Sequence, residues 1–323
     1  MASELDHESG WQTMESDPGV FSELLRTLGV SLIVDDLYSL DPESLAPLGP
    51  LYALIFLFQW TGSSDESGGA QGVYDDDFPG FFANQVVNNA CATIAVLNGI
   101  CNIPSLRVGA ELEQFREFAS ALDPQMRGEV ITSNAFFRAT HNSLSPPPSV
   151  SLSELDIQPS QSEDSYHFIV YLPYAGNIYE LDGLKRAPIK HGLFETTGEG
   201  WIGKAREVIE ARIATYPPGS FRFNLLAIRD DPLPSLQAQM DEAQGKGQSE
   251  YAASLLQRIS AENGKREQWN FENSLRRHNH LSTIHELLLA LVESGHLDNA
   301  VEGATHKMVE RGKQANRKLD MEE

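Results

Sequence analysis

The sequence predicts a mixed α/β domain followed by an all-helical extension, and three features of the chain carry that prediction. Segments with apolar residues at helical spacing alternate with short continuous apolar runs. HFIVYLPYAGNIYELDG, from His167 to Gly183, is a pair of such runs broken at Ala175-Gly176, the pattern of a β-hairpin. Beyond Asp231-Pro232-Leu233-Pro234, which marks a boundary, the pattern turns wholly helical from Ser235 to about Lys318.

FSELLRTLGV (Phe21 to Val30) carries apolar residues at helical spacing, with Asp17-Pro18 ahead of it as a start signal. LYALIFLFQW (Leu51 to Trp60) is continuous and aromatic-rich, as suits a strand buried on both faces. Thr61 to Gly80, with five acids, no base and many glycines, reads as a mobile surface loop. A helix containing Cys91 follows. Ala110 to Leu122 and Ile131 to Leu144 read as two further amphipathic helices. Ser143 to Ser165 has four prolines, four acids and no base; so long a structureless segment is either functional or a linker. After the hairpin come a helix around Trp201 to Thr215 and a strand over Phe221 to Ile228. In the extension Leu281, Ile284, Leu288 and Leu291 make a helical stripe bounded by Gly295. The extension has too little core of its own to stand alone, so it packs on the main domain, on a partner, or on both.

With 323 residues and 41% hydrophobic content the chain can bury a real core. No apolar run reaches the roughly 18 residues of a membrane-spanning helix, so no membrane association is expected. The N-terminus MASELDHESG is unlike a leader peptide, and two cysteines ten residues apart are no disulfide framework. A cytoplasmic and nuclear protein is expected. The net charge of −22 argues against nucleic acid as a partner. From Gly264 onward 9 Lys+Arg meet 10 Asp+Glu, so the excess acid lies on the preceding residues. It serves solubility or a preference for a cationic substrate. No CxxC, HExxH, P-loop or GxGxxG occurs, and neither a metal nor a cofactor is expected.

Cys91 sits where Asn88-Asn89 hands over to a helix, and a helix start favours a thiolate through its free N–H groups and macrodipole. A cysteine hydrolase also needs an imidazole, a group that orients it, and donors for an oxyanion. With a two-residue turn at Ala175-Gly176, His167 faces Leu184, and Asp182 becomes its diagonal neighbour on the same sheet face. Diagonal Cα atoms lie roughly 7–8 Å apart, a gap that His and Asp side chains bridge. Gln85, six residues before Cys91, is placed to aim its amide at the oxygen that the Cys91 N–H would bind. A lone buried cysteine or a lone strand histidine is ordinarily structural, so this order of residues permits the catalytic reading without proving it.

Gln85-x-x-x-Asn89-Ala90-Cys91-Ala92-Thr93, followed by His167-Phe168 and Tyr179-Glu180-Leu181-Asp182-Gly183, resembles the ubiquitin C-terminal hydrolase family. Trp11 to Phe21, Val34 to Asp41 and Phe221 to Ile228 resemble it too, so the likeness covers about residues 8 to 229. Glu272 to Leu297 resembles the proteasome-associated member with a C-terminal helical extension, which spans residues 235 to 318 here. The resemblance implies a knotted papain-like fold with a central antiparallel sheet flanked by helices. It also implies a thiol-dependent deubiquitinating enzyme with Cys91 as nucleophile, His167 as base and acid, Asp182 as orienter and Gln85 as oxyanion donor. Ser143 to Ser165 corresponds to the loop that crosses the active site. Glu15 and Asp36 correspond to positions that hold ubiquitin's arginine-bearing tail. Through its extension the chain is expected to dock on the proteasome's ubiquitin-receptor subunit and on a related chromatin-remodelling subunit. Leu281, Ile284 and Leu288 either face that partner or pack within the tail. The closing segment Glu310 to Lys318 is short and ends in acids, unlike a strongly basic mixed-charge tail. The alternative to an enzyme is a ubiquitin-binding scaffold with vestigial or tail-silenced activity.

Overall fold

The computed structural model describes residues 10–59, 72–145, 166–216, 223–278, 281–305 and 307. The chain divides into two compact units, Met1–Arg277 and His278–Glu323. Among the described residues of the first unit, seven strands form one sheet. They are β1 (Leu32–Asp36), β2 (Leu51–Gln59), β3 (Val73–Tyr74), β4 (Tyr166–Tyr174), β5 (Asn177–Leu181), β6 (Ile189–Leu193) and β7 (Phe223–Asp230). Their spatial order is β1-β7-β2-β4-β5-β6-β3, and every pairing is antiparallel. The mixed α/β class with a central antiparallel sheet is therefore the class the sequence predicts.

The continuous apolar run of β2 is required because the sheet is covered on both faces. Ala53 and Ile55 join a core that includes Phe21, Leu97 and Val170, whereas Leu54, Phe56 and Phe58 join a second core with Tyr171 and Ile209. A register shift between Leu51 and Ala53 puts Leu51 on the second face as well. Each fully buried side chain of this size contributes about 1.5–3 kcal/mol. The first core is roofed by α1 (Pro18–Thr27), α3 (Cys91–Ile100), α4 (Ala110–Ala119), α5 (Pro124–Ser133) and α6 (Ala135–Asn142). The second lies under α2 (Pro42–Leu45) and α7 (Trp201–Ile213). α1 starts where the sequence signals it: the Asp17 carboxylate accepts from the Val20 N–H at 3.0 Å, and Pro18 occupies the first turn.

The hairpin register follows from its turn. Ala175 and Gly176 have φ of 46° and 77°, the paired left-handed geometry that matches strand twist. Tyr174 then pairs with Asn177, and the ladder runs to Val170 opposite Leu181. This is the pairing expected from a two-residue loop.

Several expectations need correction. The single helix expected over Ile131 to Leu144 is two helices, because Asn134 leaves the helical region (ψ 119°). Its side chain accepts from the Phe136 and Phe137 N–H groups, capping α6 instead of continuing α5. The acidic segment 61–80 is not loop throughout: Val73 and Tyr74 pair with β6, and the Tyr179 hydroxyl donates to Asp75 at 2.7 Å. The rest of that expectation, residues 61–71, lies outside the described residues, as do residues 146–165 of the expected crossing loop. At Asp231-Pro232-Leu233-Pro234 the chain passes from strand to helix, as the sequence predicts, but stays within the first unit. Asp231 caps α8 (Pro232–Gly245) by accepting from the Leu233 N–H, and α8 packs on α9 (Ser249–Arg277) around Leu236, Ala243, Leu255 and Ile259.

The first unit consequently runs past the boundary expected at 229–235. The indole of Trp269 on α9 lies so close to Gly19 of α1 that an added Cβ would sit 2.7 Å from its Cγ. Asn273 donates to the Gly19 carbonyl at 3.1 Å, and Lys265 reaches Asp35 at 3.0 Å. In the second unit, α10 (Leu281–Glu293) leaves Ile284, Leu287, Leu288, Leu289 and Val292 exposed. Among the described residues of the tail, none buries Ile284 or Leu288.

Candidate active site

α3 carries the thiol and also organises the chain that precedes it. From Ala92 to Ile100 every residue is buried, the amide of Asn98 among them, and Asn102, one turn later, is buried as well. Asn98 exchanges hydrogen bonds with the N–H and C=O of Ala83 at 2.8 and 3.1 Å. Asn102 does the same for Phe81 at 2.7 Å each way. These two side chains imitate a strand and fix the extended segment leading to Gln85, satisfying backbone that would otherwise be buried unpaired.

Gln85 is held from the other side by the turn after β5. Its N–H donates to the Gly183 carbonyl at 2.8 Å, and the Asn84 amide donates to the carbonyls of Gly183 and Lys185. The Gln85 side-chain amide donates to Val87 O at 3.1 Å, while its Oε1 is buried without a protein partner. An Nε2 amide carries two N–H groups, so one remains for a ligand.

His167 and Asp182 meet as the hairpin register requires. His167 Nε2 donates to Asp182 Oδ1 at 2.6 Å, and both side chains are almost wholly buried. The same Oδ1 accepts from the Leu184 N–H at 2.9 Å, which fixes the carboxylate. With Nε2 committed, Nδ1 is the nitrogen left for Cys91. Burial alone would depress His167, but hydrogen bonds and charge from Asp182 and Cys91 outweigh it and raise the imidazole to about 9. The ring also stands edge-on to Phe58, with centroids 5.7 Å apart. Thiol, imidazole and carboxylate thus stand in series, an arrangement suited to nucleophilic attack and acyl transfer.

The other cysteine is different. Burial outweighs the nearby Arg116 and Arg127 and pushes Cys101 up to about 12, which keeps it a protonated, unreactive thiol.

Glu15 and Asp36 belong to one neighbourhood at the β1–β7 edge, where Asn224 reaches both Ser16 and Asp36. Asp36 is raised, by burial first and by Asp17 and Asp35 among other causes. Glu15 is ion-paired with Arg276 of α9 at 2.8 Å, and Arg276 also faces Asp17 at 3.3 Å. Leu281, Ile284 and Leu288 lie on α10 in the second unit.

Sequence reasoning missed a buried charge network behind the site. Glu180 accepts from Arg212 at 2.7 Å and contacts His191 at 3.1 Å, while Arg212 also donates to the Tyr171 hydroxyl. The guanidinium stands 4.5 Å over Phe58, the ring that touches His167. Glu180 and Arg212 lie 32 residues apart, and no local pattern links them. The Asn98/Asn102 pair did leave a signal: two amides four residues apart, one near the end of a largely apolar helix and one just beyond it.

The model of ubiquitin carboxyl-terminal hydrolase family 1 matches residues 11–214, and a further ubiquitin carboxyl-terminal hydrolase model matches residues 252–297. The chain is 38% identical to ubiquitin carboxyl-terminal hydrolase ubh-4 of Caenorhabditis elegans over 308 residues, covering 92% of this chain and 93% of that one. It is 41% identical to ubiquitin carboxyl-terminal hydrolase 2 of Schizosaccharomyces pombe over 286 residues, covering 88% and 91%. Among solved structures, Trichinella spiralis UCH37 bound to ubiquitin vinyl methyl ester is similar with a TM-score of 0.65 and 32% identity. That match covers 80% of this chain and 99% of the other. A thiol at a helix start backed by an imidazole–carboxylate pair, with matches of this extent, makes the chain a member of ubiquitin carboxyl-terminal hydrolase family 1 and a cysteine-type deubiquitinating hydrolase.

Proposed function

We propose that the enzyme cleaves the bond after the C-terminal glycine of ubiquitin, and that its helical extension recruits it to the proteasome. The observation that carries the catalytic part is the 2.6 Å His167–Asp182 bond on a ring that also engages Cys91. The Cys91 thiolate attacks the glycine carbonyl carbon. The N–H of Cys91 and the second N–H of Gln85 Nε2 hold the oxyanion. His167 gives its proton to the leaving amine, and a thioester remains. Water, deprotonated by His167, then releases ubiquitin and restores the thiol, while Asp182 keeps the ring oriented throughout. Glu15 and Asp36 are the acids that receive the basic tail of the substrate, in keeping with the acidic first unit.

For recruitment, the support is the exposed apolar face of α10, where Ile284 and Leu288 are 50% and 48% exposed. The partner proposed is the ubiquitin-receptor subunit of the regulatory particle, and the locations are cytoplasm and nucleus. A related chromatin-remodelling subunit is a second partner for the same face.

The first test is intact mass after incubation with ubiquitin bearing a C-terminal vinyl methyl ester. One adduct per chain, absent in Cys91→Ala, is expected. No adduct, with or without the proteasomal receptor subunit, would leave a ubiquitin-binding scaffold as the better reading. Separately, Ile284→Asp with Leu288→Asp should abolish co-elution with that subunit; unchanged co-elution removes the recruitment proposal.

A further inference from the structure

α3 begins without the cap that its sequence offers. Its N-cap position is Ala90, whose side chain has no atom to accept from the first-turn N–H groups. The residue before it, Asn89, is of the type that ordinarily does so. Its side chain instead reaches the N-terminal segment, where its Nδ2 donates to the Trp11 carbonyl at 3.1 Å. Its backbone is left-handed, at φ 66°, a conformation that asparagine tolerates far better than most residues.

The carbonyl that Asn89 holds is itself well anchored. Trp11 is 2% exposed, its indole donates to Thr132 O, and its ring packs edge-on against His141 at 4.8 Å. His141 Nε2 donates to the Gln12 carbonyl at 2.7 Å, and its Nδ1 accepts from the hydroxyl of Thr93, two residues beyond Cys91. Burial, set against the bond to Gln12, depresses His141 to about 4, so the ring stays neutral and keeps both roles at neutral pH. Asn142 fastens the same segment by bonds with Gln12 N and Gly10 O. The segment Gly10–Gln12 is therefore a strap that grips both sides of the nucleophile: Asn89 before it and Thr93, through His141, after it.

We propose that Asn89 is a positioning residue for Cys91. Its left-handed turn aims the thiol, and its tether to Trp11 keeps the α3 N–H groups uncapped for the thiolate and the oxyanion. This proposal rests on the reading of Cys91 as the nucleophile. A capping side chain there would occupy the donors that the reaction uses, and a relaxed turn would swing the Sγ away from the imidazole.

The test compares Asn89→Gly and Asn89→Ala with wild type on ubiquitin carrying a C-terminal fluorogenic amide. Cys91 alkylation by iodoacetamide against pH is read by peptide mass in parallel. Glycine keeps the turn and loses the tether; alanine loses both. Misplacement on this scale predicts kcat about tenfold lower for glycine and about a hundredfold lower for alanine, with KM nearly unchanged. The pH profile of Cys91 alkylation should shift in both variants. A merely structural role would lower the melting temperature and leave kcat per folded molecule and the alkylation profile at wild-type values, which would overturn the proposal. Cys91→Ala run alongside separates the two readings. Retained activity in it would sink the nucleophile assignment, whereas its loss together with a wild-type Asn89→Gly would sink the positioning role alone.

Discussion

The buried pair Glu180–Arg212 offers the sharpest test of how the sheet supports the site. Both side chains are nearly inaccessible, at 1% and 8% exposure, and their bond is 2.7 Å long. Burial alone would raise Glu180, yet Arg212 and His191 hold it down at about 2 against an ordinary 4.5. A difference of that size corresponds to roughly 3 kcal/mol of preference for the charged form. Because the folded value is the lower one, this contribution is complete above pH 4.5 and disappears as pH falls towards 2. Glu180→Gln strands the guanidinium between Tyr171 and Phe58, and removing one partner of a buried pair costs about 3–5 kcal/mol. For a unit of this size that lowers the melting temperature by roughly 6–20 °C at pH 7. Arg212→Met replaces the cation by an apolar chain able to lie on Phe58. The combination Glu180→Gln/Arg212→Met should therefore be less destabilised than the two single effects together, by about 1.5 kcal/mol or more. The assay is urea unfolding of all four proteins at pH 7, with the wild type repeated down to pH 3. The reasoning is refuted if the effects simply add, or if Glu180→Gln stays within about 1 kcal/mol of wild type.

Four further outcomes follow from the same geometry. Asp182→Asn should lower kcat by roughly a hundredfold or more, because the ring loses the carboxylate that fixes its tautomer. His167 is raised, so its contribution to stability is complete below pH 6.5 and is lost as pH climbs through about 9; urea midpoints should fall over that window in wild type and stay flat in Asp182→Asn. At Gly183 an added Cβ would stand 3.0 Å from Gln85 N and 3.1 Å from Gln85 Cβ, so Gly183→Ala should reduce kcat more than it alters KM; an unchanged kcat would separate Gln85 from the oxyanion. Gly19→Ala should push Trp269 off α1 and loosen α9, seen as faster proteolytic nicking of residues 249–277, with equal nicking rates counting against the packing described.

The His167–Asp182 pairing was legible in the sequence because its geometry is set locally, whereas joining Gln85 and Cys91 to it as one site rested on the family resemblance. A two-residue turn fixes the strand register, the register puts Asp182 diagonal to His167, and a helix start announces itself around Cys91. β2 was legible for a similar reason: a strand covered on both faces has to be apolar throughout. Where the reading failed, two local patterns competed or the decisive partner lay far along the chain. Ile131 to Leu144 fits one helical stripe, and only the capping of Phe136 and Phe137 by Asn134 divides it. β6, with Lys190, His191 and Gly192 in its five residues, has no strand signature and exists because β5 offers it an edge.

By itself the sequence determined the class of fold and the hairpin that sets Asp182 beside His167, since turn chemistry, periodicity and spacing act within a few residues. Tertiary structure alone decided that α8 and α9 belong to the first unit, that Arg276 pairs with Glu15, and that Glu180, Arg212 and His191 share one buried site. It also decided that the segment Gly10–Gln12 straps the turn before Cys91. Those outcomes depend on which groups folding removes from water together, and charge or hydrogen-bond partners up to 261 residues apart leave no periodic trace in the chain.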